Sequence, residues 1–302
     1  MVDLVSTQCP LCLSKGDDRE AYKASFQPEQ VTPEIFSARR PPDRICYRMV
    51  VCRCCGLMRA DPALSEKALA GLYAASNSSE VGLEQDAATT YIQYLRRYLS
   101  GIPLDSRILE VGCGQGHFLR ALLQERFGYI HGVEPSSEAV TRASEIRELV
   151  HHGTFGPGIY PAGHFDLICG FHVFDHLRDP LQFLKDSREY LKSHGRLFLI
   201  MHDILAWPAR VMGRRCPMID IEHPFLYNKA TLKRLLEANG FTVQAQFCVH
   251  NRYPLRYWMQ LLPWPRSIKR YLLAALERSG IGRMPLTLAA GNMGIIARKN
   301  DE

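Results

Sequence analysis

The spacing of apolar positions changes period along the chain, and the changes mark out elements. From Arg107 onward, short apolar runs of strand length alternate with segments whose apolar residues recur three and four apart. The runs predict strands over Arg107–Val111, Tyr129–Glu134, Leu149–His152, Phe165–Gly170, Gly195–Met201, Phe241–Val249 and Asn292–Arg298. The intervening pattern predicts helices over His117–Arg126, Ser137–Arg147, Pro180–Lys192 and Lys229–Asn239. Asp179 before Pro180 places a capping acid ahead of a first-turn proline, and Asn239-Gly240 supplies a helix stop. This alternation predicts an α/β fold: a doubly wound, Rossmann-like seven-stranded sheet with helices on both faces and an antiparallel last strand. Ligands of such sheets sit beyond the carboxyl ends of the strands.

Ahead of the sheet the pattern differs. Residues 63–104 read as mainly helical: Ser65 is an N-cap for Glu66–Tyr73, and residues 76–80 read as a loop. Tyr91, Tyr94, Leu95, Tyr98 and Leu99 share one face of a helix over Asp86–Leu99. Residues 1–62 hold six of the ten cysteines and are punctuated by Pro41-Pro42 and Pro62. The chain therefore divides into a module (1–62), a helical cap (63–104) and the α/β domain (105–302). Within the domain, residues 206–228 read as an inserted lid carrying Trp207, Met212, Arg214 and Arg215. Residues 250–285 read as an amphipathic helical segment rich in tryptophan, leucine and basic residues, open to three readings: a lid, a homodimer face, or a contact with a membrane or lipid-linked substrate.

The first strand of the sheet runs into Gly112, Gly114 and Gly116, and a helix follows at once. Glycines there let a ligand lie against backbone, and the helix start offers unpaired N–H groups. Glu134 ends the next strand about twenty residues on, the separation at which an acid meets a ribose diol. The spacing departs from the dinucleotide G-x-G-x-x-G, since His117 stands where a third glycine belongs. Glu110, two residues before the first glycine, suits a cationic ligand better than a pyrophosphate. This E-x-G-x-G-x-G pattern resembles motif I of the class I S-adenosylmethionine-dependent methyltransferases. The resemblance continues at Asp175-His176 after the fourth strand, at Glu222–Tyr227, and at Thr231–Phe241, covering about two thirds of the chain. It implies S-adenosylmethionine as cofactor, held by Glu110, Gly112, Cys113, Gly114, Gly116, Glu134, Pro135, Phe155, Phe171 and His172. The family often places an acid at the adenine. No acid follows the third strand here, so backbone and Phe155 are expected to hold the base. The resemblance also puts the 63–104 cap over the cofactor mouth, with Tyr91 near the methionine end.

Cys9-Pro-Leu-Cys12 and Cys52-Arg-Cys-Cys55 are two C-x-x-C turns. Two such turns can bring Cys9, Cys12, Cys52 and Cys55 around one structural Zn²⁺, with Cys54 and Cys46 as further thiols nearby. Arg39, Arg40, Arg44, Arg48 and Arg53 lie among them, to neutralise the thiolates, face an anionic substrate or form a solvated face. Cysteine pairs ahead of a methyltransferase core are similar in layout to the sugar C-methyltransferases. If the acceptor is a hydroxyl or an acidic carbon, a base is needed near neutral pH, which suits histidine. His223, beside Glu222, is the first candidate, then His202 and His172; His176 reads as a tie within its loop.

A net charge of +6 permits anionic partners without demanding them. No signal peptide and no spanning helix are expected, which implies a cytoplasmic enzyme. The expected function is methyl transfer to a small molecule, such as a nucleotide-linked or glycan sugar or a natural-product intermediate. The alternatives are a zinc-containing rRNA base methyltransferase and a non-catalytic scaffold. The sequence lacks the aromatic-basic stacking motif of RNA-binding sheets, which argues against nucleic acid.

Overall fold

The computed structural model describes residues 3–27, 30–36, 45–76 and 81–301. Arg39, Arg40, Arg44, Pro41-Pro42 and residues 77–80 of the expected loop lie outside the described residues.

The amino-terminal module contains β1 (Leu4–Val5), β2 (Asp18–Tyr22), β3 (Met49–Cys52), β4 (Met58–Ala60) and β5 (Ala63–Leu64). Helices α1 (Glu66–Ala74) and α2 (Val81–Tyr98) follow; the Ser65 side chain accepts from Ala68 N and caps α1. The domain then runs β6 (Arg107–Val111), α3 (His117–Gln124), β7 (Tyr129–Glu134), α4 (Ser137–Arg142), β8 (Val150–His152), β9 (Phe165–Phe171), α5 (Pro180–Tyr190) and β10 (Leu191–His202). It closes with α6 (Trp207–Met212), β11 (Phe225–Leu226), α7 (Lys229–Ala238), β12 (Phe241–Pro254), α8 (Leu255–Leu261), α9 (Arg266–Ser279) and β13 (Pro285–Lys299).

Seven strands form one sheet in the order β12-β13-β10-β9-β6-β7-β8. β13 is antiparallel to both neighbours, and the pairs among β10, β9, β6, β7 and β8 are parallel. Strand order reverses at β6 and β9, and the crevice beyond their carboxyl ends is where ligands collect. Ile108, Leu109, Leu167, Ile168, Phe198 and Leu199 are fully buried, because parallel strands covered by helices on both sides read as continuous apolar runs.

Three features differ from the periodicity reading. Residues 144–149 leave the α4 helix as a 3-10 turn with a kink at Ile146. β12 and β13 extend to Pro254 and Pro285 as a long hairpin, with α8 and α9 inserted at its tip. Residues 206–228, expected as a lid, split in two. Trp207–Met212 form helix α6, which buries Pro208 and Ala209 and exposes Trp207 and Val211, whereas Ile219, Ile221, Phe225, Leu226 and Tyr227 are buried. β11 pairs with β4, so a four-stranded sheet (β11-β4-β3-β2) joins the cysteine module to the domain. A two-residue strand buried by a distant partner carries no period of its own.

Arg59 of β4 is fully buried in that junction and donates to both Asp18 oxygens at 2.6 and 2.8 Å. Thr7 Oγ1 accepts a third bond from it at 3.0 Å.

Candidate active site

After β6 the chain turns through three glycines with positive φ: Gly112 (+70°), Gly114 (+53°) and Gly116 (+76°). A Cβ on Gly112 would stand 2.4 Å from Val173 Cγ2, and one on Gly116 would stand 2.2 Å from Ile146 Cδ1. At Gly114 that space is open. Gly112, Cys113 and Gly114 line a cavity of about 770 Å³, while Gly116 caps α3 and packs against Ile146 instead. Gly112 N and Cys113 N donate to Val133 O at 2.8 and 3.1 Å, which ties the loop to β7.

Glu134 ends β7 under this loop. Its Oε2 accepts from Gly114 N and its Oε1 from Ser136 N, each at 2.8 Å. Burial pushes its carboxyl up, and the two backbone N–H groups offset part of that rise. Glu110 is pushed up further, by burial and then by the fields of Glu134 and Glu84. Glu110 Oε2 is buried and meets no hydrogen-bond partner among the described residues. Glu84, on α2, also lines the cavity. A pocket with three carboxylates and an open glycine wall suits a ligand with an ammonium and a sulfonium. A pyrophosphate would be repelled. Pro135, Phe155, Phe171, His172 and Tyr91 line the same cavity. Phe155 is fixed by Phe183 and Tyr190, with ring centroids 5.1 and 5.7 Å away, and Tyr91 stacks on Phe171 at 4.1 Å.

Next to this cradle, four histidines surround one carboxylate. Asp175 is 1% exposed and sits on a 3-10 turn after β9. Its Oδ2 accepts from His202 Nδ1 at 2.8 Å and from His202 N at 3.2 Å. Burial works against this carboxylate, but the His202 hydrogen bond together with the fields of His202, His176 and His223 outweighs it and holds Asp175 well below the usual range. An ionised Asp175 only accepts, so Nδ1 of His202 carries the proton and Nε2 is free to take another. His176 lies 4.0 Å from Asp175 Oδ1, and its Nδ1 meets Tyr73 Oη at 2.7 Å. His223 packs its ring against His176 and His202, centroids 4.5 and 4.7 Å apart. Burial pushes both His176 and His223 down, the latter strongly, and His223 Nδ1 has no hydrogen-bond partner among the described residues. His172 adopts a left-handed φ of +55°, with its ring 4.9 Å from His202 and Nε2 3.3 Å from Asn292 Nδ2. Two overlapping trios, His172–Asp175–His202 and Asp175–His176–His223, hold their donor atoms within 4.8 Å. Such spacing allows proton exchange or a shared cation.

The sequence reading singled out His172, His202 and His223, and the structure brings them together. It gives Asp175 only as part of a family signature and His176 as a loop tie, and it does not reach Tyr73 or Asn292. The acid in Asp175-His176 was the available signal. Tyr73 carried none, because it reaches His176 from 103 residues away.

In the module, Cys9 Sγ lies 3.3 Å from Cys55 Sγ and Cys12 Sγ lies 3.5 Å from Cys52 Sγ. All four sulfurs fall within 4.8 Å of one another. Sulfurs on a tetrahedral zinc at ~2.3 Å stand about 3.8 Å apart, close to this spacing. Cys54 is exposed outside the group, and Cys46 is buried beside Ser25. Arg48 pairs with Asp61 at 3.1 Å and Arg53 with Asp17 at 3.8 Å, so these two arginines are engaged by carboxylates.

Residues 83–246 match the family described as a methyltransferase domain. A tRNA U34 carboxymethyltransferase of Shewanella woodyi is 30% identical over 105 residues, covering 32% of each chain. A protein of Mycolicibacterium smegmatis named as a probable S-adenosylmethionine-dependent methyltransferase is 30% identical over 142 residues, 45% of this chain and 52% of that one. The matched region is thus about a third to a half of the length of these relatives. Among solved structures, the [4+2]-cyclase SpnF has the same fold, with a TM-score of 0.51 at 18% identity over 76% of this chain and 86% of that one. With the family matched over more than half of its length, the chain belongs to the class I S-adenosylmethionine-dependent methyltransferases.

Proposed function

We propose that this enzyme methylates a small-molecule acceptor whose hydroxyl or acidic carbon loses its proton to His202. One observation carries the reading: His202, hydrogen-bonded to the buried Asp175, lines the same cavity as Glu110, Gly114 and Glu134. When bound, S-adenosylmethionine supplies a methyl carbon made electrophilic by its sulfonium.

The residues divide the work. Gly112, Cys113 and Gly114 cradle the donor's amino-acid end, Glu110 faces its ammonium, and Glu134 accepts from the ribose diol. Phe155 lies by the adenine. Asp175 fixes the tautomer of His202 and stabilises the imidazolium formed when Nε2 takes a proton. His223, the first candidate on sequence grounds, is a weaker base, because burial disfavours its protonated form. It packs as a wall that positions His202 and His176. Tyr91 and Phe171 help close the cavity against water.

The four thiolates are assigned one structural Zn²⁺. With four sulfurs bound it keeps no open position, so its contribution is to fold the module. One zinc per chain, lost in Cys12→Ser, is the expected metal analysis; a metal-free native protein contradicts it.

The layout shared with sugar C-methyltransferases makes nucleotide-linked and glycan sugars the first acceptors to assay. The relatives named for tRNA make RNA the second. The test offers methyl-labelled donor with small-molecule and RNA fractions. Label is expected in the small-molecule fraction, abolished by His202→Gln while S-adenosylhomocysteine still binds. Label confined to RNA, or a His202→Gln enzyme of full activity, refutes the proposal.

A further inference from the structure

The elements over the cavity carry an unusual charge. Residues 204–219 and 252–291 contain ten arginines and lysines and one glutamate, a net +9 in a chain whose total is +6. The remainder of the molecule is therefore net negative. Exposed apolar side chains are set among these cations. Trp207 is 66% and Val211 75% exposed on α6; Ile268 is 54% and Tyr271 69% exposed on α9. Arg210, Arg214, Arg215, Arg270, Arg278 and Arg283 are exposed alongside them. Large exposed apolar groups are ordinary when scattered singly, but here they are concentrated in two basic segments.

The same segments border the acceptor cavity. Trp207 and Met212 of α6, Met259 of α8 and Leu262 line it, as do Leu286 and Leu288 of β13. Trp207 Nε1 donates to Ala289 O and Trp258 Nε1 to Leu286 O, which fastens α6 and α8 to the β13 hairpin. The cavity thus runs from the histidine cluster to an apolar mouth at the basic face. No helix among the described residues is long and apolar enough to cross a membrane. An amphipathic helix with Lys and Arg beside exposed Ile and Tyr instead fits the plane of a lipid interface.

We infer that α6 and α8–α9 dock on an anionic membrane surface, and that the acceptor is an amphiphile whose hydrocarbon portion enters the cavity past Trp207, Leu262 and Leu286. This names the acceptor class and rests on the methyl-transfer reading, but the docking itself is measured separately. Charge complementarity selects an anionic rather than a neutral surface. The exposed Val211 and Ile268 select lipid over a nucleic acid, whose phosphates would use the arginines and whose bases would stack on the Trp and Tyr, leaving the aliphatic side chains unpaired.

The experiment is flotation of the full-length protein with vesicles of phosphatidylcholine alone or with phosphatidylglycerol added. Binding is expected only with the anionic lipid, weakening as salt rises. Arg270→Ala and Arg278→Ala should each lower the partition coefficient about fivefold. Ile268→Asp should abolish binding, while Ile268→Leu retains it. Calorimetry with S-adenosylhomocysteine on the same variants should be unchanged, since none of these residues lines the cofactor cradle. Cofactor binding without vesicle binding sinks the membrane inference alone; vesicle binding without cofactor binding sinks the enzymatic reading alone. Equal partition to neutral vesicles, tRNA binding lost in these variants, or a dimer dissolved by Ile268→Asp would each overturn the inference.

Discussion

Replacing Glu134 by Gln tests whether its carboxylate serves both the loop and the cofactor. The side chain keeps its shape and loses its charge. In the native site one oxygen accepts from Gly114 N and the other from Ser136 N, each at 2.8 Å. A glutamine oxygen can serve one of them, and its NH₂ then confronts the other N–H, donor against donor. One buried backbone N–H loses its acceptor, a penalty of about 1–3 kcal/mol in stability. Hydrogen bonds to a charged group contribute ~1.5–3 kcal/mol against ~0.5–1.5 for neutral ones, so two ribose bonds lose about 2–3 kcal/mol. That corresponds to a weakening of cofactor binding on the order of 30- to 150-fold. Glu134→Ala removes both bonds outright and should weaken binding by about 10²–10⁴. The assay is calorimetric titration with S-adenosylhomocysteine, paired with denaturant unfolding. Affinity within about threefold of wild type in both variants would refute the ribose assignment, since a variant contributing under ~0.7 kcal/mol cannot be losing charged hydrogen bonds.

Three further outcomes follow from particular contacts. Asp18→Ala strands the buried guanidinium of Arg59 and should destabilise the protein by about 3–5 kcal/mol in denaturant unfolding; the double variant Asp18→Ala/Arg59→Met should recover much of this. Gly116→Ala meets both a left-handed φ and Ile146, so it should lower stability by about 2–4 kcal/mol, with partial recovery on adding Ile146→Ala. Because burial raises the Glu110 carboxyl, a cationic donor must displace a proton there. S-adenosylmethionine affinity should therefore rise with pH, by up to about tenfold per unit, until pH passes the raised value and then level off. Titrations in buffers of different ionisation heat should register the released proton, and Glu110→Gln should flatten the profile. In the cofactor-free protein the same raised carboxyl implies the opposite sign for stability, which is lost as pH climbs from the ordinary carboxylate range through the raised value.

Local signals made the cofactor half legible. Strand, glycine turn, helix, strand and acid lie within Arg107–Glu134, and each is dictated by near neighbours in sequence. The four zinc-spaced cysteines were legible for the same reason: two short turns announce themselves, and the gap between them need not be interpreted. What could not be read was contact between remote segments. Asp175 meets His202 only because β9 and β10 are adjacent and parallel, a pairing that no residue pattern near Asp175 encodes. Tyr73 faces His176 because α1 leads out of the cysteine module over the sheet. The pairing of β11 with β4 places Phe225 and Leu226, at the end of the expected lid, in the domain junction, since two residues are too few to show alternation. The histidines were found by type and by position at strand ends and on the loops that follow. Both His223 and His202 have an acid beside them in sequence, Glu222 and Asp203, but the acid that orients His202 is Asp175, which is beside it only in space.

The most direct measurement is a crystal structure of the full-length protein soaked with S-adenosylhomocysteine. The account predicts the ribose hydroxyls on Glu134, the amino group facing Glu110, the amino-acid end over Gly112–Gly114, and the sulfur on the side nearest His202. Density for that molecule elsewhere, or an empty crevice at saturating concentration, would contradict it.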